Sequence, residues 1–363
     1  MSWNGSPPGT TGVSSPAPRA PRSSDRRPRR LTERKTVSQD HWSGKNIVVT
    51  GGLGLIGSHF AEQLVNAGAH VILPYRRDNR RVLRQLSGGN LRPVQADLRD
   101  DRDLERLFTD PAAPVDAIIH CAVVSGTMSV RLNQPAHILD ANLRTVGNVL
   151  ESARRHDVPD VVLLSSSDIY LDPGSDPIRE DDDFRKGMGW SIDGYYLSKN
   201  FAEMMAEAYR AEYGINVFLP RLTSVYGPRD NFEPDTDRVV PTMVRKVLAG
   251  QDIEIWGDGS QTRTYMYAAD LVRATLAMVE ANKYPTLNIG TTETVSVLQL
   301  ARMICAALEV PERIRIDLSK SGGRPSRNLD ITGLGEIIDF TPRSLEQGLK
   351  ETVAWYRDVY QTL

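Results

Sequence analysis

An α/β fold with a doubly wound parallel sheet is predicted by two features of this 363-residue sequence. Strand-like and helix-like segments alternate from Lys45 onward, and the first strand runs into a glycine turn that opens a helix. With 40% hydrophobic and 25% charged residues, the chain is large and apolar enough for one big or two modest domains.

The elements follow in order. KNIVVT is a short β-branched strand, GGLGLIGS a tight turn, and HFAEQLVNAGAH carries apolar residues at helical spacing before VILPY begins a second strand. That is one βαβ unit. AAPVDAIIHCAVV reads as a strand, AHILDANLRTVGNVLESARRH as a helix, VVLLSSS as a strand, YYLSKNFAEMMAEAYRAEYG as a helix and INVFLPRLTSVYG as a further strand. Strands joined by helices lie parallel with both faces covered, and such sheets bind ligands beyond the carboxyl ends of their strands. SLEQGLKETVAWYRDVY closes the chain as an amphipathic covering helix.

Residues 1–43 differ in kind. They are rich in Pro, Ser, Gly and Arg, bury too little apolar surface to offset their ordering entropy, and are expected to be a disordered tail. The paired arginines Arg26, Arg27, Arg29 and Arg30 lack the apolar segment of an export signal. A net charge of −2 gives no basic bias toward nucleic acid, and no run approaches the roughly 18 apolar residues of a membrane span. Two cysteines, Cys121 and Cys305, each in apolar sequence, argue for a reducing compartment, the cytoplasm, and against a disulfide framework or metal site.

The glycine turn is the first site with chemistry. Gly52, Gly54 and Gly57 fit one dinucleotide spacing, and Gly51, Gly54 and Gly57 fit its variant, in both cases between strand and helix. Small residues there let the backbone approach a pyrophosphate at the helix N-terminus. A site for NAD usually offers an acid about 20 residues on, whereas this strand ends in Tyr75, Arg76 and Arg77, with Asp78 following. Two guanidinium groups suit a 2′-phosphate, so NADP is favoured over NAD. Asp97, in QADLRD, falls at the next strand end, beside the adenine or as a helix cap.

Two further stretches carry acid–base chemistry. VVLLSSSDIY ends a buried strand in three hydroxyls and a carboxylate. In YYLSK, Tyr195 and Lys199 are four apart on a helix and so share a face. An ammonium and a cationic nicotinamide nearby are expected to lower the tyrosine pKa, so that the phenolate accepts a sugar hydroxyl proton.

TGGLGLIGS, ADL, IIHCAV, LLSSSDIY, YYLSK, PRLTSVYGPRD and GDGSQTRTYMYAADLV occur in the order seen in the extended short-chain dehydrogenase/reductase family of nucleotide-sugar epimerases and dehydratases. The chain resembles that family over about residues 45–350. The resemblance implies a Rossmann domain at 44–230, joined again by 263–285, and a substrate domain at 231–262 and 286–363. It implies a tightly bound NADP or NAD near Gly51, Gly54, Leu55, Ile56 and Gly57, near Arg76, Arg77, Asp97 and Leu98, and near Tyr195 and Lys199. It also implies a nucleotide-diphosphate sugar as substrate, and a homodimer formed through the YYLSK helix and the one after NVL. Matched by position, Ser166 is the catalytic hydroxyl, Tyr195 the base and Lys199 its partner.

Other positions are read through the same resemblance. Asp168 stands where 4,6-dehydratases of this family carry the glutamate that removes the C5 proton, one methylene shorter. GPRDNFEPDTDRVVPTMVRK is similar to GDP-fucose synthases, whose proton-donating cysteine and histidine are replaced here by Asp168 and Arg238. Arg238 and Arg263 match family arginines near the diphosphate, Arg324 in GGRPSR adds a third, and Ser224 replaces a diphosphate-binding asparagine. Asp270 reads as a helix N-cap and Trp256 as a half-buried strand residue. The expected activity is epimerisation through a transient keto sugar. The alternatives are a 4,6-dehydratase with Asp168 as base, a uronate decarboxylase suggested by GSQTR, and an NADP(H)-sensing protein without catalysis.

Overall fold

A computed structural model describes residues 38–86, 88–109, 113–126, 128–170, 177–180, 182, 193–234, 236, 238–320 and 326–360. Most of the expected tail and Arg324 lie outside the described residues. The expected tail ends sooner than its composition suggested, because α1 (Gln39–Trp42) buries Trp42, whose indole N–H donates to Glu280 Oε1 at 2.7 Å.

The first half winds as β1 (Asn46–Thr50), α2 (Leu55–Asn66), β2 (His70–Tyr75), α3 (Arg80–Leu83), β3 (Leu91–Gln95), α4 (Asp101–Glu105) and β4 (Ala117–His120). It continues through α5 (Met128–Asn133), α6 (Pro135–Arg155), β5 (Asp160–Leu163), β6 (Ser165–Ser166), a 3-10 turn (Ser167–Ile169), α7 (Gly194–Tyr213) and β7 (Asn216–Leu222). Next come β8 (Ser224–Tyr226), α8 (Val239–Leu248), β9 (Ile253–Trp256), β10 (Thr262–Tyr267), α9 (Ala268–Ala281) and β11 (Thr286–Ile289). The described chain closes with β12 (Thr294–Ser296), α10 (Val297–Ala307), β13 (Ile314–Asp317), α11 (Thr332–Ile337) and α12 (Leu345–Tyr360).

The main sheet is parallel, in the order β3-β2-β1-β4-β5-β7-β11, with β6 also paired to β7. Alternate side chains supply two cores. Ile47, Val49 and Ile119 join Phe60 and Leu64 of α2 on one face, while Val48, Ile118 and Val161 meet Val149 and Leu150 of α6 on the other. This two-sided burial explains the near-continuous apolar runs in the sequence.

The stretch expected to return to this sheet reaches past residue 285, since β11 pairs with β7 and buries Leu287 and Ile289 in the core beside α2. INVFLPRLTSVYG is two strands rather than one. The chain leaves the main sheet after Leu222, Thr223 donates its hydroxyl proton to the Thr264 carbonyl at 3.0 Å, and β8 enters a small sheet with β10 and β12. A third core joins these elements to α8, α10 and α12, where Leu345, Leu349 and Val353 form a buried stripe while Glu346 and Lys350 pair outside. Among the described residues, no helix is long and apolar enough to cross a membrane.

Candidate active site

Two adjoining clefts open beyond the carboxyl ends of the central strands, sharing Ile56 and Arg238. At about 390 and 360 Å³ they fall within the size range of small-molecule sites.

The glycine turn forms one wall of the first cleft. Gly51 has φ +63°, and a Cβ there would lie 2.7 Å from the Ala122 amide nitrogen. A Cβ on Gly57 would run into the Gly51 carbonyl. Gly52 instead faces the Leu73 side chain, so the glycines that line the cleft are Gly51, Gly54 and Gly57. Gly54 caps α2 with no side-chain acceptor, leaving the first helical amides open to an anion. Backbone set this close, ending on a helix N-terminus, fits a dinucleotide pyrophosphate.

Leu55, Ile56, Arg76, Arg77, Asp97 and Leu98 line the same cleft. Arg76 and Arg77 are exposed, and among the described residues neither makes an ion pair. Asp78 is paired with Arg80 at 2.8 Å. Asp97 is clasped by Arg99, Nε to Oδ1 at 3.0 Å, which holds its carboxyl down at about 2. The cap of α4 is Asp100 rather than Asp97.

The second cleft brings together Ser166, Asp168, Tyr195, Ser224, Arg238 and Arg263. Tyr195 sits in the first turn of α7, whose N-cap Asp193 accepts from the Tyr195 and Tyr196 amides at 2.9 and 3.1 Å. Ser166 hydrogen-bonds to Tyr195, and its Oγ accepts from the Asp168 amide at 3.1 Å. Lys199 lines neither cleft. It lies beneath the tyrosine, donating from Nζ to the Leu164 carbonyl at 2.6 Å, and burial draws its pKa down to about 8.

The expected lowering of the tyrosine pKa counted a cationic nicotinamide as well as the ammonium, and the protein's own groups on balance act the other way. Burial, and then the charge of Asp168, push the Tyr195 phenol up to about 12, against the Ser166 hydrogen bond and the charges of Arg131 and Arg238. The fold as it stands holds a phenol rather than a phenolate.

Asp168 is the second departure. Arg131 Nη1 lies 3.3 Å from its Oδ2, and Arg327 Nη1 bonds its Oδ1. Although burial alone would raise its pKa, Arg327 and Arg131 hold it below the usual carboxylate range. A carboxylate clasped by two guanidinium groups is a poor proton acceptor, which weakens the reading of Asp168 as an elimination base. Neither arginine stood out in the sequence. The GGRPSR stretch was the available signal for Arg327, and for Arg131 there was none.

Arg238 stands between the clefts, its Nε 2.5 Å from Asp230 and its Nη2 donating to the Val225 carbonyl at 2.6 Å. Asp270 is not an N-cap. Tyr267 holds that position, and the buried Asp270 carboxylate instead accepts from Arg343, from the backbone amide at 2.8 Å and from Nη1 at 2.6 Å. Trp256 ends β9 but is 54% exposed, with Lys320 over its ring.

Together, fold and clefts define a dinucleotide-binding enzyme with a hydroxyl–phenol pair beside the cofactor site. The chain belongs to the NAD dependent epimerase/dehydratase family, whose sequence model matches residues 47–290. These are enzymes acting on nucleotide sugars by epimerisation, dehydration or reduction, with a nicotinamide dinucleotide cofactor. A dTDP-4-dehydro-6-deoxy-D-allose reductase from Streptomyces bikiniensis is 44% identical over 322 residues, 88% of this chain and 99% of the relative. Among solved structures, a UDP-N-acetylglucosamine 4-epimerase from Methanobrevibacter ruminantium M1 aligns at TM-score 0.78 with 25% identity, covering 87% of this chain and 99% of that one. A dTDP-glucose 4,6-dehydratase from Streptomyces venezuelae, solved as a double mutant with NAD bound, aligns at TM-score 0.75 with 26% identity, covering 86% and 97%.

Proposed function

We propose that this chain reduces the keto group of a nucleoside-diphosphate-linked 4-keto-6-deoxy sugar. This reading is preferred to the epimerisation expected from the sequence. The observation that carries it is the kind of proton-handling group the second cleft presents: the phenols of Tyr195 and Tyr265, serine and threonine hydroxyls including that of Ser166, and an Asp168 carboxylate already held by two arginines. Reduction needs one hydride and one proton. Elimination, or inversion beside the carbonyl, needs a separate base, and the described lining includes no histidine, cysteine, lysine or glutamate. Arg131 and Arg327 are matched by Asp168 and Asp193, so these two guanidinium groups are already engaged, which disfavours their holding a uronate in the decarboxylase reading.

When bound, a reduced nicotinamide would supply the hydride that the carbonyl carbon acquires. Gly51, Gly54, Gly57 and the amides of Leu55 and Ile56 would hold its pyrophosphate. Ser166 orients the carbonyl oxygen by hydrogen bonding, and Tyr195 donates the proton that oxygen acquires. A phenol that stays protonated at neutral pH serves this direction. Lys199 supports Tyr195 from below, and Arg238, Arg263 and Ser224, which line the cleft, would face the sugar diphosphate. The likeness to the Streptomyces reductase, at 44% identity over nearly its whole length, favours the same assignment.

The likeness to 4-epimerases favours a second reading, because the same Tyr195 and Ser166 could remove and return the proton of the C4 hydroxyl while hydride leaves C4 and returns to its opposite face. The purified protein should be given a dTDP-4-keto-6-deoxyhexose with NADPH or NADH. The reductase reading expects one reduced cofactor consumed per sugar and a product two hydrogens richer. Interconversion of C4-hydroxyl sugars with no consumption of added cofactor would establish the epimerase instead.

A further inference from the structure

One side chain reaches two parts of the second cleft that the sequence keeps apart, the end of the serine strand and the start of α7. Arg131, on α5, donates from Nε to Asp193 Oδ1 at 2.9 Å, with Nη2 2.5 Å from Asp193 Oδ2. Its Nη1 reaches Asp168 at the end of the serine strand, and its guanidinium carbon lies 4.6 Å from the Tyr195 ring centroid. The side chain is only 15% exposed.

We propose that Arg131 is a positioning residue for the proton transfer made by Tyr195. This rests on Tyr195 being the proton donor. The amides of the first turn of α7 have no partner within the helix, so the turn is held by its cap. That cap is Asp193, and Arg131 fixes it with two edges of one planar fork. The third edge holds Asp168, whose amide donates to the Oγ of Ser166. The fork therefore sets the distance between the phenol and the hydroxyl that meet at one substrate oxygen, while its face covers the phenol ring. Lysine keeps the charge but cannot bridge two carboxylates in this plane.

The test compares Arg131→Lys and Arg131→Met with the parent, using a dTDP-4-keto-6-deoxyhexose and NAD(P)H in water and in deuterium oxide. Misplacement of a proton donor by about 1 Å can cost about a hundredfold, so both variants should lose roughly tenfold to a hundredfold in kcat. KM and cofactor affinity should stay within about threefold of the parent, because the fork orients a reacting group rather than binding substrate. The solvent isotope effect on kcat should rise as proton transfer becomes limiting. If Arg131→Met does not fold, Arg131→Lys decides alone. Parent-like kcat in Arg131→Lys, or a kcat loss without any rise in the isotope effect, overturns the proposal. Tyr195→Phe is run alongside. Full activity in that variant would remove the Tyr195 reading itself, whereas an inactive Tyr195→Phe with a parent-like Arg131→Lys removes only the role of Arg131.

Discussion

Lys199 Nζ lies 5.7 Å from the ring centroid of Tyr195, with a proton directed at the Leu164 carbonyl 2.6 Å away. The helical spacing of four thus brings the two side chains together, but the ammonium sits beneath the ring and is bonded to the backbone. Burial lowers its pKa from 10.5 to about 8. Between those two values the unfolded chain binds more protons than the folded one, so this group adds stability as pH rises from about 8. Below that window the cost of burying the ammonium is fully present. Urea unfolding of the parent and of Lys199→Met from pH 7 to 10 should show the parent gaining on the variant as pH rises. A constant difference between the two curves would contradict the lowered pKa.

Asp168 holds two guanidinium groups, so its charge is expected to matter for architecture more than for proton removal. Asp168→Asn leaves Arg131 and Arg327 facing a neutral amide. The site is part-buried, and the expected loss is about 1–3 kcal/mol, below the cost of breaking a fully buried pair. The denaturation midpoint should fall at pH 7, and turnover of the keto sugar should remain measurable. Incubation with dTDP-glucose should give no product lacking water from either protein. A dehydrated product formed by the parent and abolished in Asp168→Asn would restore the elimination role.

Trp42 shows how far the folded body extends toward the N-terminus. It is buried to 1% exposure and donates to Glu280 on α9, whose carboxyl is raised by burial. Trp42→Ala removes a large buried ring and one of the groups satisfying that carboxyl. A loss of roughly 3–5 kcal/mol is expected, read from urea unfolding. A change under about 0.5 kcal/mol would be that of a surface position and would mean the contact is not held in solution.

What the sequence made legible was local or periodic. Apolar strands alternating with helices, the glycine turn and the Tyr195–Lys199 spacing are each set within a few residues, and the chain folds accordingly. What it hid were pairings across long stretches of chain. Asp168 meets Arg131 and Arg327 at separations of 37 and 159 residues, and Trp42 meets Glu280 at 238, which no window of sequence reveals. Asp270 failed for the opposite reason. Its local context suggested a cap, but Arg343, 73 residues on, takes the carboxylate. For the tyrosine, the spacing displays the ammonium and conceals both the burial and the Asp168 charge that raise the phenol.

The choice between NADP and NAD rests on the end of β2. Asp78, the one carboxylate following that strand in sequence, is paired with Arg80 at 2.8 Å rather than offered to a ribose. Arg76 and Arg77 line the cofactor cleft, exposed and without an ion pair among the described residues. A 2′-phosphate placed there would gain charge-assisted hydrogen bonds that a 2′-hydroxyl cannot match. The Arg76→Ala, Arg77→Ala double variant should raise KM for NADPH by roughly ten- to a hundredfold, taking about 1.5–3 kcal/mol for hydrogen bonds to a charged group. KM for NADH should move by less than about threefold, since the pyrophosphate and nicotinamide are held elsewhere. Steady-state kinetics with each cofactor at saturating sugar measures both. A parent that uses NADH as readily as NADPH, with a double variant that leaves both KM values in place, would show that these arginines serve solvent and not the cofactor.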